Sequence, residues 1–509
     1  MKKLFLYLSL LGIVLVGCKN DDPATSLKLL GESTWLVEYA GAEKTFEFET
    51  NESWNAIVET SAASWLVVTP SSGIKGKQSI KVEAKANNNT AARSGKITVQ
   101  AKGKSAEITV TQAAVPENFD VASAIEDSDF KTYCLTNFDE DKNGKISLAE
   151  AEKVEEIDVH GDYDSENEVG KGTIKSLKGI EYFTKVKQLD CSGNQLTALD
   201  VAQNKILEQL YCDHNKLTSL RLNDGKTLKN LHVGGNQLTS LDVSGFVALE
   251  MLSVDDNPLT TLSIKGCVKL GVLSTDKTAL TSLDASGCLA MTQFMCEDSK
   301  LQSIDMSGCT ALEQVHCTNS ELKTLNLNGC TQLAHLVLDD NKLTSINVNN
   351  CPAITWLSVK NNELTEIDVS TCTSLDRITC TSNKLTSLIL NTAMETVEAA
   401  DNQLSSLDLS KCQKLAQLDC NDNKFTSLDV SKCPELGILN CFNNQITSLD
   451  LSYNTKLTYV DLSPMNDASS KNVLAEVKVK KGLTMKGIYP DSERSTDYIP
   501  EGTKITEVE

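Results

Sequence analysis

A chain of 509 residues is too long for one compact hydrophobic core, so several domains or an extended repeat array are expected. The formal net charge of −21 argues against nucleic acid and anionic membrane surfaces as partners and suits a self-repelling soluble surface. Aromatic residues make up only 5%, with four tryptophans, so each tryptophan is informative.

The chain opens MKKLFLYLSLLGIVLVGC. Lys2 and Lys3 form a positive start, Leu4 to Val14 an apolar run, and LVGC a small-residue end. The run is shorter than the ~20 residues a membrane-spanning helix needs. LVGC resembles the lipobox of bacterial lipoproteins, which implies cleavage after residue 17 and a diacylglycerol anchor on Cys18. Simple secretion is the alternative. The following KNDDP resembles the acidic signal that sends some Bacteroidota lipoproteins outward, implying an outer-membrane, cell-surface location. The leader occupies 1–18 and a linker 19–26.

Residues 27–114 alternate polar and apolar between turns, as in TFEFET, WLVVTPSSG, SIKVEA and AEITVTQ, the pattern of an antiparallel β-sandwich. Trp54 and Trp65 are expected in its core. NESWNA with Trp54, SWLVVTPSSG with Trp65 and Gly73, the stretch ending at Arg93, and the closing VTQ with Gln112 resemble the BACON domain of Bacteroidota surface proteins. The resemblance implies an Ig-like sandwich and, from the family name, carbohydrate binding. A passive spacer is the other expectation. Trp35 is the one candidate for an exposed aromatic platform.

After a linker at 115–125, the segment 126–173 contains FKTYCLTNFDEDKNGKISLAEAEKVEEI. DSDFKTYCLTNF and LAEAEKVEEI read as helices around the loop Asp139–Glu150. The loop matches D-x-[DN]-x-[DN]-G-x5-E. Alternating oxygen donors wrap a hard cation, Gly144 allows the sharp turn, and a final glutamate closes the shell. Asp139, Asp141 and Asn143 are the expected side-chain ligands, Lys145 a carbonyl donor, Ser147 a donor through water, and Glu150 the closing carboxylate. The pattern resembles a single EF-hand of the dockerin type and implies one structural Ca2+ site. An acidic turn that never fills is the alternative. GDYDSENEVG (161–170) lacks the glycine and glutamate of a second loop.

From 174 to 464 a unit of the form L-x-x-L-x-C-x-x-N-x-L-T-x-L-D-V-S repeats with a period of 21 and one two-residue deletion near 390–396. Its Asn column runs Asn194, Asn215, Asn236, Asn257, Thr278, Ser299, Ser320, Asn341, Asn362, Asn383, Asn402, Asn423 and Asn444. The unit resembles the internalin-like leucine-rich repeat. Each repeat contains L-x-x-L-x-(C/V) twice, so short parallel strands are expected on both sides of a stacked solenoid. Both ends then need caps, from the EF-hand segment and from 465–509.

Fifteen of the 17 cysteines fall in two columns of the repeat. The first holds Cys191, Cys212, Cys296, Cys317, Cys380, Cys420 and Cys441, with Val, Leu, Ala or Thr in the other repeats. The second runs from Cys267 to Cys433. Slots that also accept Val and Leu point to buried thiols acting as small hydrophobes. Stacked strands ~4.8 Å apart bring Cα atoms within disulfide range, but parallel Cβ vectors keep the sulfurs' carbons too far apart for an unstrained bridge. Mostly free thiols are therefore expected, with some disulfides as the alternative. The Asp of LDVS (Asp242, Asp284, Asp305, Asp368, Asp429) is expected outward, supplying charge; an Asp calcium ladder is the alternative.

Inward positions are used for packing, so a ligand belongs on outward strand positions. The residues flanking the second leucine bring together Met295, His316, His335, Val337, Trp356 and Arg377, types enriched in interface hot spots. Arg377 is in place to stack on Trp356. Tyr211 with His232 forms a weaker cluster. The sequence shows no nucleophile elbow, zinc spacing or phosphate loop. The expectation is a non-catalytic, mostly β, multidomain lipoprotein: sandwich, small α EF-hand segment, then solenoid. It would be monomeric, bound to membrane only through lipid, and would display the solenoid to a protein or glycoprotein partner. The alternative is a carbohydrate-binding accessory of a polysaccharide-utilisation system.

Overall fold

The computed structural model describes residues 24–87, 91–164, 169–462, 474–481 and 504–508. The expected lipobox with Cys18, and most of the expected cap at 465–509, lie outside them. No helix among the described residues is long and apolar enough to cross a membrane. The chain divides into two compact units, Met1–Phe119 and Asp120–Glu509.

Strict alternation builds the first unit. In Ala42–Thr50 the aromatic rings of Phe46 and Phe48 point in while Glu47 and Glu49 face water. One sheet orders the strands Leu27–Leu29, Ala42–Thr50, Gly76–Ala84 and Leu66–Thr69; a second orders Thr34–Val37, Lys104–Gln112, Arg93–Ala101, Trp54–Val58 and Ser72–Gly73. Only Thr34–Val37 pairs in parallel, with Thr109–Gln112, among the described pairings. Trp54 meets Phe48 edge-on at 4.8 Å. A Cβ at Gly73 would approach the Trp54 indole to 2.7 Å, which explains that glycine. Arg93 lies over Trp65 at 4.4 Å and donates to the Gln112 side chain and to the carbonyls of Lys85 and Ala86. The residues that carry the BACON likeness therefore bolt the sandwich together. Trp35 does not offer a platform: it is only 9% exposed and packs on Phe46.

The second unit begins with helix α1 (Ser128–Phe138), capped by the Asp127 carboxylate, which accepts the Asp129 and Phe130 N–H groups. Helix α2 (Leu148–Ala151) is a single turn, shorter than the sequence suggested. Beyond it burial switches to a period of two, with Ile157 and Val159 inside and Glu156 and Asp158 outside. Glu156–Asp158 is therefore the first strand of the solenoid sheet, paired in parallel with Gln188–Asp190.

Fourteen more parallel strands follow in chain order to Tyr459–Asp461, with leucines in register, as in Leu189, Leu210 and Leu231. The two-residue deletion is absorbed where Arg377 pairs with Thr396. The ladder asparagines are buried, Asn383 only partly, and tie neighbouring rungs: Asn236 donates to the carbonyls of Cys212, Val233 and Gly234 and accepts the Leu217 N–H. Continuous strands on the second side are not formed. That side splits into five short ladders, with none at Ser345–Asn347, Ser406–Asp408 or Ser427–Asp429. Four of the ladders end where the outward Asp meets Arg221, Ser263, Asn326 or Ile389. The run Asp408, Asp429, Asp450 would stack like charges at strand spacing, which is destabilising, and is broken. Asp284 over Asp305 is tolerated.

Candidate functional site

Two regions carry candidate chemistry. The first is the loop between α1 and α2. It turns at Gly144 (φ +80°) and Lys142 (φ +57°). One carboxylate oxygen each from Asp139, Asp141 and Glu150 lies within 4.8 Å of the others. Asp139 accepts the N–H groups of Asn143 (3.1 Å) and Gly144 (2.8 Å), and Asp141 accepts both the N–H and the side-chain amide of Asn143. Glu150 reaches back to the Glu140 N–H at 2.9 Å and to the Ser147 N–H and hydroxyl at 2.8 and 2.7 Å. These donors hold its carboxyl below the ordinary range. An all-oxygen set preorganised this way fits a hard cation. Three of the six expected ligands converge through their carboxylates, Asn143 is bonded to Asp141, and Lys145 is exposed. The Ser147 hydroxyl caps α2 and orients Glu150.

A second cluster escaped the sequence. Asp158, His160 and Asp190 place ligand atoms within 4.8 Å of one another. Asp158 sits opposite Asp190 in register, and its Oδ1 lies 2.6 Å from His160 Nδ1, which raises the imidazole pKa. The spacing Asp-x-His was the only signal available.

The second region is the outward face of the long sheet. His335, Trp356 and Arg377 are register partners on successive strands, as are Met295, His316 and Val337. His335 meets Trp356 edge-on at 6.1 Å. Two expectations fail. Val337 is 7% exposed, so it supports the surface and cannot contact a ligand. Arg377 is exposed and makes no cation–π contact with Trp356 among the described residues. The Trp356 indole N–H is shut off from water and has no acceptor. Beside this group a groove of about 380 Å³ is lined by Met295, His316, Gln293, Gln314, Asp276 and Glu297. Tyr211 and His232 stack at 5.0 Å, as their spacing suggested.

Charge on this face is uneven. From Gln188 to Asp461, the outward positions of the strands and the residue two beyond each strand carry the acids Asp190, Asp213, Asp255, Asp276, Glu297, Asp339, Glu398, Asp419 and Asp461. The same positions carry two strong cations, Lys360 and Arg377. Several of the acids are structural: Asp213, Asp255, Asp276 and Asp339 accept the N–H of Gly234, Asp276, Glu297 and Lys360 one rung on. Burial pushes the Asp213 and Asp276 carboxyls up. On the other side, Asp242, Asp284, Asp305, Asp368 and Asp429 accept the N–H of the serine two residues on. That turn bond is why LDVS recurs. These aspartates gather into no metal cluster among the described residues.

The described cysteines are buried, and fourteen of them are free. Burial pushes Cys267 up to about 11 and Cys288, Cys309 and Cys330 to about 12, so they are thiols, neither nucleophiles nor ready metal ligands. In the second column Cys267, Cys309, Cys330 and Cys372 each donate S–H to a carbonyl 24 residues back. Asn204 and Asn454 make the same bond with their amides. The expectation against bridging fails at one pair. Cys296 and Cys317 form a disulfide, because their strands close to a Cα separation of 4.5 Å, under the ~4.8 Å of an ideal ladder.

Residues 53–113 match the BACON family, described as "Putative binding domain, N-terminal". The functional domain of InlJ from Listeria monocytogenes, described as including a cysteine ladder, is 29% identical. The match covers 71% of this chain and 81% of that one, with a TM-score of 0.52. The chain carries a BACON domain followed by an internalin-like leucine-rich repeat solenoid. YopM, a leucine-rich effector protein of Yersinia pestis, is 23% identical over 52% of this chain and 73% of its own, with a TM-score of 0.42. YopM of Yersinia enterocolitica is 20% identical over 70% and 92%, with a TM-score of 0.44. No curated protein matches the chain.

Proposed function

We propose that this protein is a cell-surface lipoprotein that presents its solenoid to a protein or glycoprotein partner. The observation that carries this reading is the gathering of Met295, His316, His335, Trp356 and Arg377 on five successive strands of one open sheet face, beside a groove. Such a face is rigid and its outward side chains are free to vary, which is how repeat proteins bind other chains. Its residue types are those that dominate interface energetics. In this reading Cys18 carries the lipid anchor, the BACON domain is a spacer, and the loop Asp139–Glu150 holds one structural Ca2+. The protein is non-catalytic, with no step assigned to its buried thiols. The spacer role is favoured because Trp35, Trp54 and Trp65 are all in the core and leave no aromatic sugar platform.

The test is a screen of residues 19–509 against protein and glycan arrays, with and without calcium. The expected result is a protein ligand whose binding falls when Trp356→Ala is made and the circular dichroism is unchanged. Binding to glycans alone, or protein binding that survives both Trp356→Ala and Arg377→Ala, would overturn the proposal.

A further inference from the structure

The proposal that the sheet face binds protein leaves the chemistry of the partner open, and charge narrows it. On a face that carries nine acids, its two strong cations fall on adjacent rungs around the one tryptophan of the solenoid. Two lysines near this spot are neutralised between rungs, Lys342 by Glu321 and Lys384 by Glu363. Among the described residues, Lys360 and Arg377 have no carboxylate within 4.0 Å, and both are exposed. A protein of net charge −21 that keeps two unpaired cations together on its binding face retains attraction there for an anion.

Geometry sets the spacing of that anion. Trp356 and Arg377 are register partners, and Lys360 lies two residues past the end of the strand Trp356–Ser358. At ~3.3 Å per residue and ~4.8 Å per rung, Lys360 and Arg377 start about 14 Å apart. An extended peptide lying along the strand direction shows same-side residues at ~6.8 Å intervals, so acids four residues apart span the same distance. The residue midway between them lies over Ser358 and Thr379, about 7 Å along the face from Trp356 and within reach of its indole. Trp356 is half-buried with its N–H turned away from solvent, so it offers an apolar edge rather than a broad stacking face.

We infer that the partner docks through an extended acidic segment, acid-x-apolar-x-acid, with one carboxylate on Arg377 and the other on Lys360. This rests on the protein-binding reading above. Arg377 is the stronger anchor because its guanidinium can take a carboxylate through two parallel hydrogen bonds.

The test uses residues 19–509 and a capped peptide with glutamates four residues apart and leucine midway. Controls replace both glutamates by glutamine or by lysine, and a sulfated oligosaccharide tests the anionic-glycan alternative. Binding is read by titration of the Trp356 indole 15N–1H resonance, assigned with Trp356→Phe. The expected result is saturable binding of the glutamate peptide, at least tenfold weaker for the glutamine peptide and for each of Arg377→Glu and Lys360→Glu. No shift at about 1 mM peptide, where even weak pairing registers, overturns the inference. So does equal binding of the glutamine peptide, preference for the lysine peptide or the oligosaccharide, or indifference to both charge reversals. A protein ligand found in the array screen that ignores both reversals but needs Trp356 sinks this inference alone; loss of every protein ligand sinks the binding reading with it.

Discussion

Replacing Asn236 by leucine tests what the ladder asparagines do. A simple tally of its four hydrogen bonds predicts a severe loss, but the partners are not equally exposed to it. The Cys212 carbonyl also accepts from Asn215, the Val233 carbonyl from Asn257, and the Gly234 carbonyl from the His214 N–H. Each keeps a donor after the substitution. The Leu217 N–H has only Asn236 Oδ1, at 2.9 Å, and becomes a buried orphan. One unsatisfied buried donor costs about 1–3 kcal/mol, while the near-isosteric leucine leaves little cavity. Denaturant unfolding of residues 19–509 should therefore show destabilisation of about 1–3 kcal/mol. Native-state hydrogen exchange should lose protection at the Leu217 amide while neighbouring ladder amides keep theirs. A loss of about 5 kcal/mol or more, with exchange rising across the rung, would show that the shared carbonyls do not compensate. No loss, with Leu217 still protected, would show that its N–H finds another acceptor.

Three further outcomes follow from the same structure. Closing a 21-residue loop, the Cys296–Cys317 disulfide should add about 3 kcal/mol by restricting the unfolded chain; Cys317→Ser should lower the unfolding midpoint, and thiol titration of the unreduced denatured protein, residues 19–509, should count fourteen free thiols rather than sixteen. Calcium at a hundredfold excess over its dissociation constant should stabilise by about 2.7 kcal/mol, an effect that Glu150→Gln removes and Asp190→Asn leaves intact; a Glu150→Gln protein that still responds to calcium would place the ion elsewhere. Burial pushes the Asp419 carboxyl up to about 6, above the 3.8 of an exposed aspartate, so its penalty is absent below pH 3.8, grows as the unfolded chain ionises, and is complete above pH 6. Asp419→Asn should accordingly raise the unfolding midpoint at pH 8 and leave it unchanged at pH 3.5, which a pH series of thermal melts decides.

The solenoid was legible because its period is set by packing. Leucines, asparagines and small slots recur every 21 residues, and that register alone orders fourteen strands. The sandwich was legible for a similar reason, since Trp54, Gly73, Arg93 and Gln112 mark contacts that tolerate little else. What depends on side-chain direction was less visible. Val337 reads as outward, yet it is buried on the sheet face. Trp35 sits on a strand where one residue's difference in register separates core from surface. The helix after the calcium loop stops early because Ile157 and Val159 begin a strand, a change of period too short to detect in a segment rich in helix formers.

The one disulfide forms among mostly free thiols, on rungs that depart from the ideal ladder. Thr278, Ser299 and Ser320 replace asparagine on three consecutive rungs. A hydroxyl and an amide both accept, but a hydroxyl brings one proton where an amide brings two. Ser299 and Ser320 bond to each other at 2.9 Å, and Ser320 donates back to the Cys296 carbonyl, so the tie across these rungs is narrower than the amide's. The disulfide lies on these same rungs, between the strands that carry Met295 and His316 and line the groove. The covalent link therefore holds the rungs that the amide ladder holds least, directly beneath outward residues assigned to binding. The break in the Asn column was plain in the sequence. Its meaning was not, because a substitution looks like noise until the hydrogen bonds it removes are counted.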